Sequence, residues 1–214
     1  MSQLKPKTLL CLITNRRTLN RYVDDTNFVP LLDLCQRAAD TGIDLIQIRE
    51  KDLPTDQLSK LVEAVVSITE GSDTSVLVND RVDIALTCGA KGVHLRSDSL
   101  PVEAVRQLTG ENFIIGASSH SVTEAIMAAE AGASFVLFGP VFATPSKEIY
   151  GAPLGLQQLT QAVQLAKCPV LALGGINLEN SSEVLATGAA GLAAIRLFAE
   201  AERLEELVYA LKGQ

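Results

Sequence analysis

The chain has 214 residues, 47% hydrophobic, 20% charged and 4% aromatic, with no tryptophan. That length suits one domain, and the core must be built from Leu, Val, Ile and Ala, as in parallel strands covered by helices. A formal net charge of −7 argues against nucleic acid as a general partner, because a phosphate backbone needs a basic face. A small phosphorylated ligand, which needs only a few donors, stays open.

The first residues, Met1–Thr8, are polar and basic and carry no apolar signal region. The first apolar run, rich in β-branched residues, predicts a buried strand over Leu9–Thr14. Further strands are predicted over Leu45–Arg49, Ser75–Asn79, Gly92–Leu95, Phe113–Ala117, Phe135–Phe138, Val170–Gly174 and Gly191–Ile195. Helical periodicity falls between them, at Pro30–Thr41, Leu58–Thr69, Val122–Ala131 and, after the last strand, Leu204–Leu211. Gly-Ala pairs at 89–90, 132–133 and 188–189 precede strands, as repeated helix-to-strand turns require. Strands alternating with helices along the whole chain predict a (β/α)8 TIM barrel, one domain over 1–214 with its core at about 9–212. A doubly wound sheet is disfavoured, because Thr14-Asn15-Arg16 follows the first strand where that fold has a Gly-rich turn. Cys11, Cys35, Cys88 and Cys168 lie far apart and read as free thiols of a reducing compartment. No apolar run is long enough to span a membrane, so the cytoplasm is the expected location.

In such a barrel, chemistry collects at the strand C-termini. On the second strand, alternation places Gln47, Arg49 and Lys51 on one side, an amide and two cations suited to phosphate oxygens. The competing reading is a salt bridge to Glu50 or Asp52. After the third strand, Asn79-Asp80 reads either as a Mg²⁺ site or as a helix N-cap. His94 ends the fourth strand and reads as structural more readily than catalytic; Asp98 or Ser99 would cap the next helix. Ser118 and Ser119 are ligand contacts or an N-cap, and His120 a packing or capping residue. The long loop from Phe138 to Gly155 offers Thr144, Ser146 and Lys147 to phosphate. Gly174-Gly175 and Arg196 follow the seventh and eighth strands, the usual phosphate cradle of this fold. Two anion sites result, as a reaction joining a pyrophosphate-bearing and a phosphate-bearing substrate would need.

Gln47-x-Arg49-x-Lys51, Val78-Asn79-Asp80-Arg81, Gly92-Val93-His94-Leu95, Gly139-Pro140-Val141-Phe142, Thr144-x-Ser146-Lys147 and Gly174-Gly175-Ile176 together resemble the thiamine phosphate synthase / TenI family, over Leu9 to about Phe198. The resemblance implies a cytoplasmic transferase that joins hydroxymethylpyrimidine pyrophosphate to thiazole phosphate, releases pyrophosphate and uses Mg²⁺. By the same resemblance, Gln47, Arg49, Lys51, Asn79, Ser118 and Lys147 hold the pyrimidine pyrophosphate, with Lys147, Arg49 and Ser118 acting on the reacting group. Thr144 and Ser146 contact the thiazole substrate, and Gly175, Ile195 and Arg196 its phosphate. Asp80 is the implied metal ligand. The family's second ligand, an Asp, falls where this chain has Ser99, so Asp98 is its candidate substitute. Arg196 stands in place of a family Ser, and Asn15 where an Asp is common. Two alternatives remain: a TenI-like thiazole tautomerase, whose catalytic His falls at Pro140 here, and a non-catalytic binding or regulatory protein. A homodimer is an open assembly state.

Overall fold

Short β-branched runs, buried on both faces, leave the chain one way to satisfy its backbone: parallel pairing, covered outside by amphipathic helices. The structure is a computed structural model that describes residues 8–19, 27–143 and 152–213. Strands β1 (Leu9–Ile13), β2 (Leu45–Ile48), β3 (Ser75–Asn79), β4 (Gly92–Leu95), β5 (Ile114–Ser119), β6 (Phe135–Phe138), β7 (Val170–Leu173) and β8 (Gly191–Ala194) pair in sequence order. β8 pairs with β1, from Leu9 opposite Gly191 to Leu12 opposite Ala194, and closes the barrel. Gly191 is needed at this seam, since a Cβ there would lie 1.9 Å from the Leu9 carbonyl oxygen.

The helices described are α1 (Arg16–Leu19), α2 (Val29–Asp40), α3 (Thr55–Ile68), α4 (Val82–Thr87), α5 (Val102–Thr109), α6 (Val122–Glu130), α7 (Gly155–Leu165), α8 (Leu178–Ala186), α9 (Arg196–Ala199) and α10 (Leu204–Lys212). Gly89, Gly132 and Gly188 all have positive φ, so these three helix-to-strand turns pass through the left-handed region. Alternation divides the core. Cys11, Ile13, Leu45, Leu77, Leu137 and Leu171 pack with Phe135 inside the barrel. Their strand neighbours, such as Leu12, Ile46, Val78, Val93 and Val136, pack outward on the helices. Among the described residues no helix is long and apolar enough to cross a membrane.

Three local expectations fail. β5 runs through Ser118 and Ser119 instead of ending at Ala117, and the N-cap of α6 is Ser121, whose side chain accepts the Glu124 N–H. Asp80 caps no helix: α4 starts from Arg81 without a side-chain cap, and Asp80 itself takes a positive φ of 65°. Neither Asp98 nor Ser99 caps α5, which starts from Pro101.

Candidate active site

Above the apolar floor of the barrel lies a polar layer. Each member is the lumen-facing residue near the C-terminal end of its strand. Gln47 of β2 is buried and donates from Nε2 to Asn79 Oδ1 of β3 at 3.1 Å. Its Oε1 is buried with no partner. His94 of β4, paired in register with Asn79, lies 2.8 Å through Nε2 from Ser118 Oγ of β5. Gly116 makes room for the imidazole: a Cβ there would stand 2.6 Å from His94 Nδ1 and 2.4 Å from the Phe135 ring. His94 is therefore a fixed partner of a candidate substrate residue, a role its sequence context did not signal.

Burial, and secondarily the charge of Arg49, pushes the His94 pKa from 6.5 down to about 3. The imidazole is neutral in the folded protein and titrates near 6.5 when unfolded. Because the folded value is the lower, the unfolded chain binds the extra proton at intermediate pH. This contribution to stability is complete above pH 6.5 and is lost as pH falls toward 3, by up to about 1.4 kcal/mol per pH unit. Urea midpoints at pH 7 and pH 5 should differ more for the native chain than for His94→Asn; equal differences would sink the assignment.

Two cations follow Gln47 in the chain. Arg49 and Lys51 follow β2, and burial, then the charges of Arg49 and Arg96, lower the Lys51 pKa. The expected competitor, a salt bridge from this motif to Glu50 or Asp52, has a different answer. Arg16, just past β1, takes both acids. Its Nη1 donates to Glu50 Oε2 at 3.1 Å, and its two terminal nitrogens each reach Asp52 at 2.7 Å. Thr14 donates to Glu50 at 2.7 Å and accepts the Arg49 N–H at 2.9 Å, so the Arg16–Glu50 pair pins the backbone from which Arg49 projects. Nothing in the sequence pattern marked Arg16.

On the opposite rim, Gly174 and Gly175 have positive φ and lie against the β6 loop. A Cβ at either would stand 2.6 Å from Pro140 or Phe142 respectively. Close packing of two loops therefore requires both glycines, with or without a ligand. Asn177 caps α8 in a reciprocal pair with Asn180, whose Nδ2 donates to the Gly175 carbonyl at 2.9 Å. Gly175, Asn177 and Arg196 line an open cavity of about 740 Å³ that reaches along α10 to Arg203 and Leu207. Ile195 packs against the lumen cluster. Thr144, Ser146 and Lys147 lie outside the described residues.

Whether the implied Mg²⁺ fits depends on Asp80. Ser99 donates its hydroxyl to Asp80 Oδ1, and Arg96 Nε lies 3.4 Å from Asp80 Oδ2. Asp98, 70% exposed, is turned to Arg96 Nη2 at 2.7 Å. Among the described residues no three His, Cys, Asp or Glu side chains gather as a metal-holding group. With both Asp80 oxygens engaged and a guanidinium between the two acids, Asp80 and Asp98 as arranged do not form a Mg²⁺ pair.

Barrel, polar layer and paired rims define an α/β-barrel enzyme for small phosphorylated substrates. The family model described as thiamine monophosphate synthase matches residues 10–198. A thiamine-phosphate synthase of Chlorobium luteolum is 39% identical over 203 residues, 95% of this chain and 91% of that protein. A putative thiamine-phosphate synthase of Geobacter sulfurreducens is 45% identical over 165 residues, 77% of this chain and 78% of that one. The solved thiamine phosphate pyrophosphorylase of Pyrococcus furiosus superposes with a TM-score of 0.83 at 34% identity, covering 97% of this chain and 95% of that one. The chain belongs to the thiamine monophosphate synthase family, and with it to the transferases of thiamine biosynthesis.

Proposed function

We propose that the protein joins hydroxymethylpyrimidine pyrophosphate to thiazole phosphate, forming thiamine phosphate and pyrophosphate. The observation that carries this reading is Gln47: a buried amide held by Asn79, with an unpartnered acceptor oxygen, on the strand that leads into Arg49 and Lys51. A buried acceptor left unmatched is costly, and a ligand N–H restores the bond. The exocyclic amine of an aminopyrimidine is such a donor, and its pyrophosphate would then reach toward Arg49 and Lys51. Breaking the methylene C–O bond leaves negative charge on the departing pyrophosphate and positive charge on the pyrimidine. The thiazole nitrogen then attacks the methylene carbon and forms the C–N bond. This chemistry asks the protein for position and for fixed positive charge on the leaving group, not for a strong base. Arg49, Lys51 and Lys147 supply that charge, and Ser118, held by His94, contributes a hydroxyl. Thr144 and Ser146 contact the thiazole substrate, and Gly175, Ile195 and Arg196 hold its phosphate on the far rim.

The buried free thiols Cys11, Cys35 and Cys88 support a reducing, cytoplasmic setting. Sedimentation would test the homodimer. Incubation with both substrates should yield thiamine phosphate and pyrophosphate in equal amounts. No product at high enzyme concentration would overturn the reading. Conversion of a thiazole tautomer without the pyrimidine would indicate the isomerase instead, and ligand binding without turnover in either assay a binding protein.

A further inference from the structure

We infer that Arg96 replaces metal-ligand chemistry at the β3–β4 rim, so that the site binds a pyrophosphate-type anion without a divalent cation. The inference rests on the reading that this rim receives the pyrophosphate. Arg96 directly follows β4. Its backbone N–H donates to Ser99 Oγ at 2.8 Å, and Ser99 in turn bonds Asp80. Its guanidinium spans Asp80 and Asp98, at 3.4 Å and 2.7 Å. Arg49 and Lys51 follow β2, which pairs with β3 as β3 pairs with β4, so their segment borders the same end of the barrel. Of the two carboxylates that Arg96 spans, Asp98 is 70% exposed and screened by water.

Charge difference decides what such a rim accepts. With Asp at position 99 and a neutral residue at 96, the rim would be more negative by two charges. A divalent cation would make up that difference for a pyrophosphate. Ser99 and Arg96 make it up before any metal arrives, and a guanidinium offers planar donors that match phosphate oxygens. Asp80 changes role accordingly. It orients Arg96 and Ser99 as a carboxylate anchor, and an incoming phosphate can take over the 3.4 Å contact of Arg96 while Asp80 keeps the Ser99 hydroxyl.

Calorimetric titration of the full chain with inorganic pyrophosphate, in EDTA and in Mg²⁺, tests this. The native chain should bind in EDTA, and Mg²⁺ should change the affinity little. Arg96→Gln should weaken binding in EDTA by about tenfold or more. The double variant Arg96→Gly/Ser99→Asp should bind pyrophosphate only with Mg²⁺, and with pyrophosphate should broaden the Mn²⁺ electron paramagnetic resonance signal where the native chain does not. Binding by the native chain only in Mg²⁺, or an unchanged Kd in Arg96→Gln, overturns the role of Arg96 while leaving the pyrophosphate site intact. No binding under either condition overturns both.

Discussion

Replacing Glu50 by alanine should lower stability by about 3–5 kcal/mol, the cost of stranding one member of a buried ion pair. The Glu50 side chain is 2% exposed and that of Arg16 3%. The carboxylate accepts from the Arg16 guanidinium, from the Arg16 backbone N–H at 3.1 and 3.2 Å, and from Thr14. Asp52 would still hold Arg16, but at 41% exposure it does not replace the buried charge. For a domain of this size the melting midpoint should fall by about 10 °C. Replacing both partners, as Arg16→Met/Glu50→Leu, should recover much of the loss, because the penalty lies in the unpaired charge rather than in the missing attraction. A loss below about 1 kcal/mol in Glu50→Ala would contradict the burial on which the argument depends. The pair at 3.1 Å sits between the C-terminal ends of β1 and β2, so stability and site geometry share one support.

Replacing Arg49 by alanine should lower kcat/KM by two to three orders of magnitude, about 3–4 kcal/mol for a bidentate charged contact to pyrophosphate. The melting point should move far less than in Glu50→Ala, because Arg49 is only half-buried whereas the Glu50 carboxylate is buried against Arg16. Arg49→Lys should recover only part of the rate, since a point charge does not reproduce the planar fork. Steady-state kinetics and thermal denaturation on the same preparations separate the two effects. A large melting shift in Arg49→Ala, or a kcat/KM within about threefold of the native value, would remove Arg49 from the substrate site.

Most strands were legible because their signal is local. Val76 to Val78 and Phe135 to Phe138 are apolar runs of strand length, and no helical period fits them. β5 shows the limit of that signal. Ser118 and Ser119 look like helix caps in isolation, yet pairing with Leu137 and Phe138 of β6 keeps them extended. The alternation that faces Gln47 to the lumen was equally local, since it needs only the pleat of one strand, but β2 ends at Ile48 and leaves Arg49 and Lys51 beyond that pleat. Arg16 could not be found that way. Its acids lie 34 and 36 residues away, and only the register of β1 on β2 brings them together. The pairing of Asp80 with Ser99, 19 residues apart, has the same origin in β3 and β4.

By itself the sequence determined the order of eight βα units, the side of the second strand on which Gln47 lies, and the kinds of donor gathered at the rims. Those properties follow from propensity and from periods of two and 3.6 residues, which act over neighbours in the chain. Only the tertiary structure decided which charge answers which. Closing the barrel between Leu9 and Gly191 sets every register at once. In a low-dielectric rim that register settles whether a carboxylate meets a guanidinium, a hydroxyl or a metal ion. Glu50 was thereby assigned to Arg16 instead of Arg49, and Asp80 to Ser99 and Arg96.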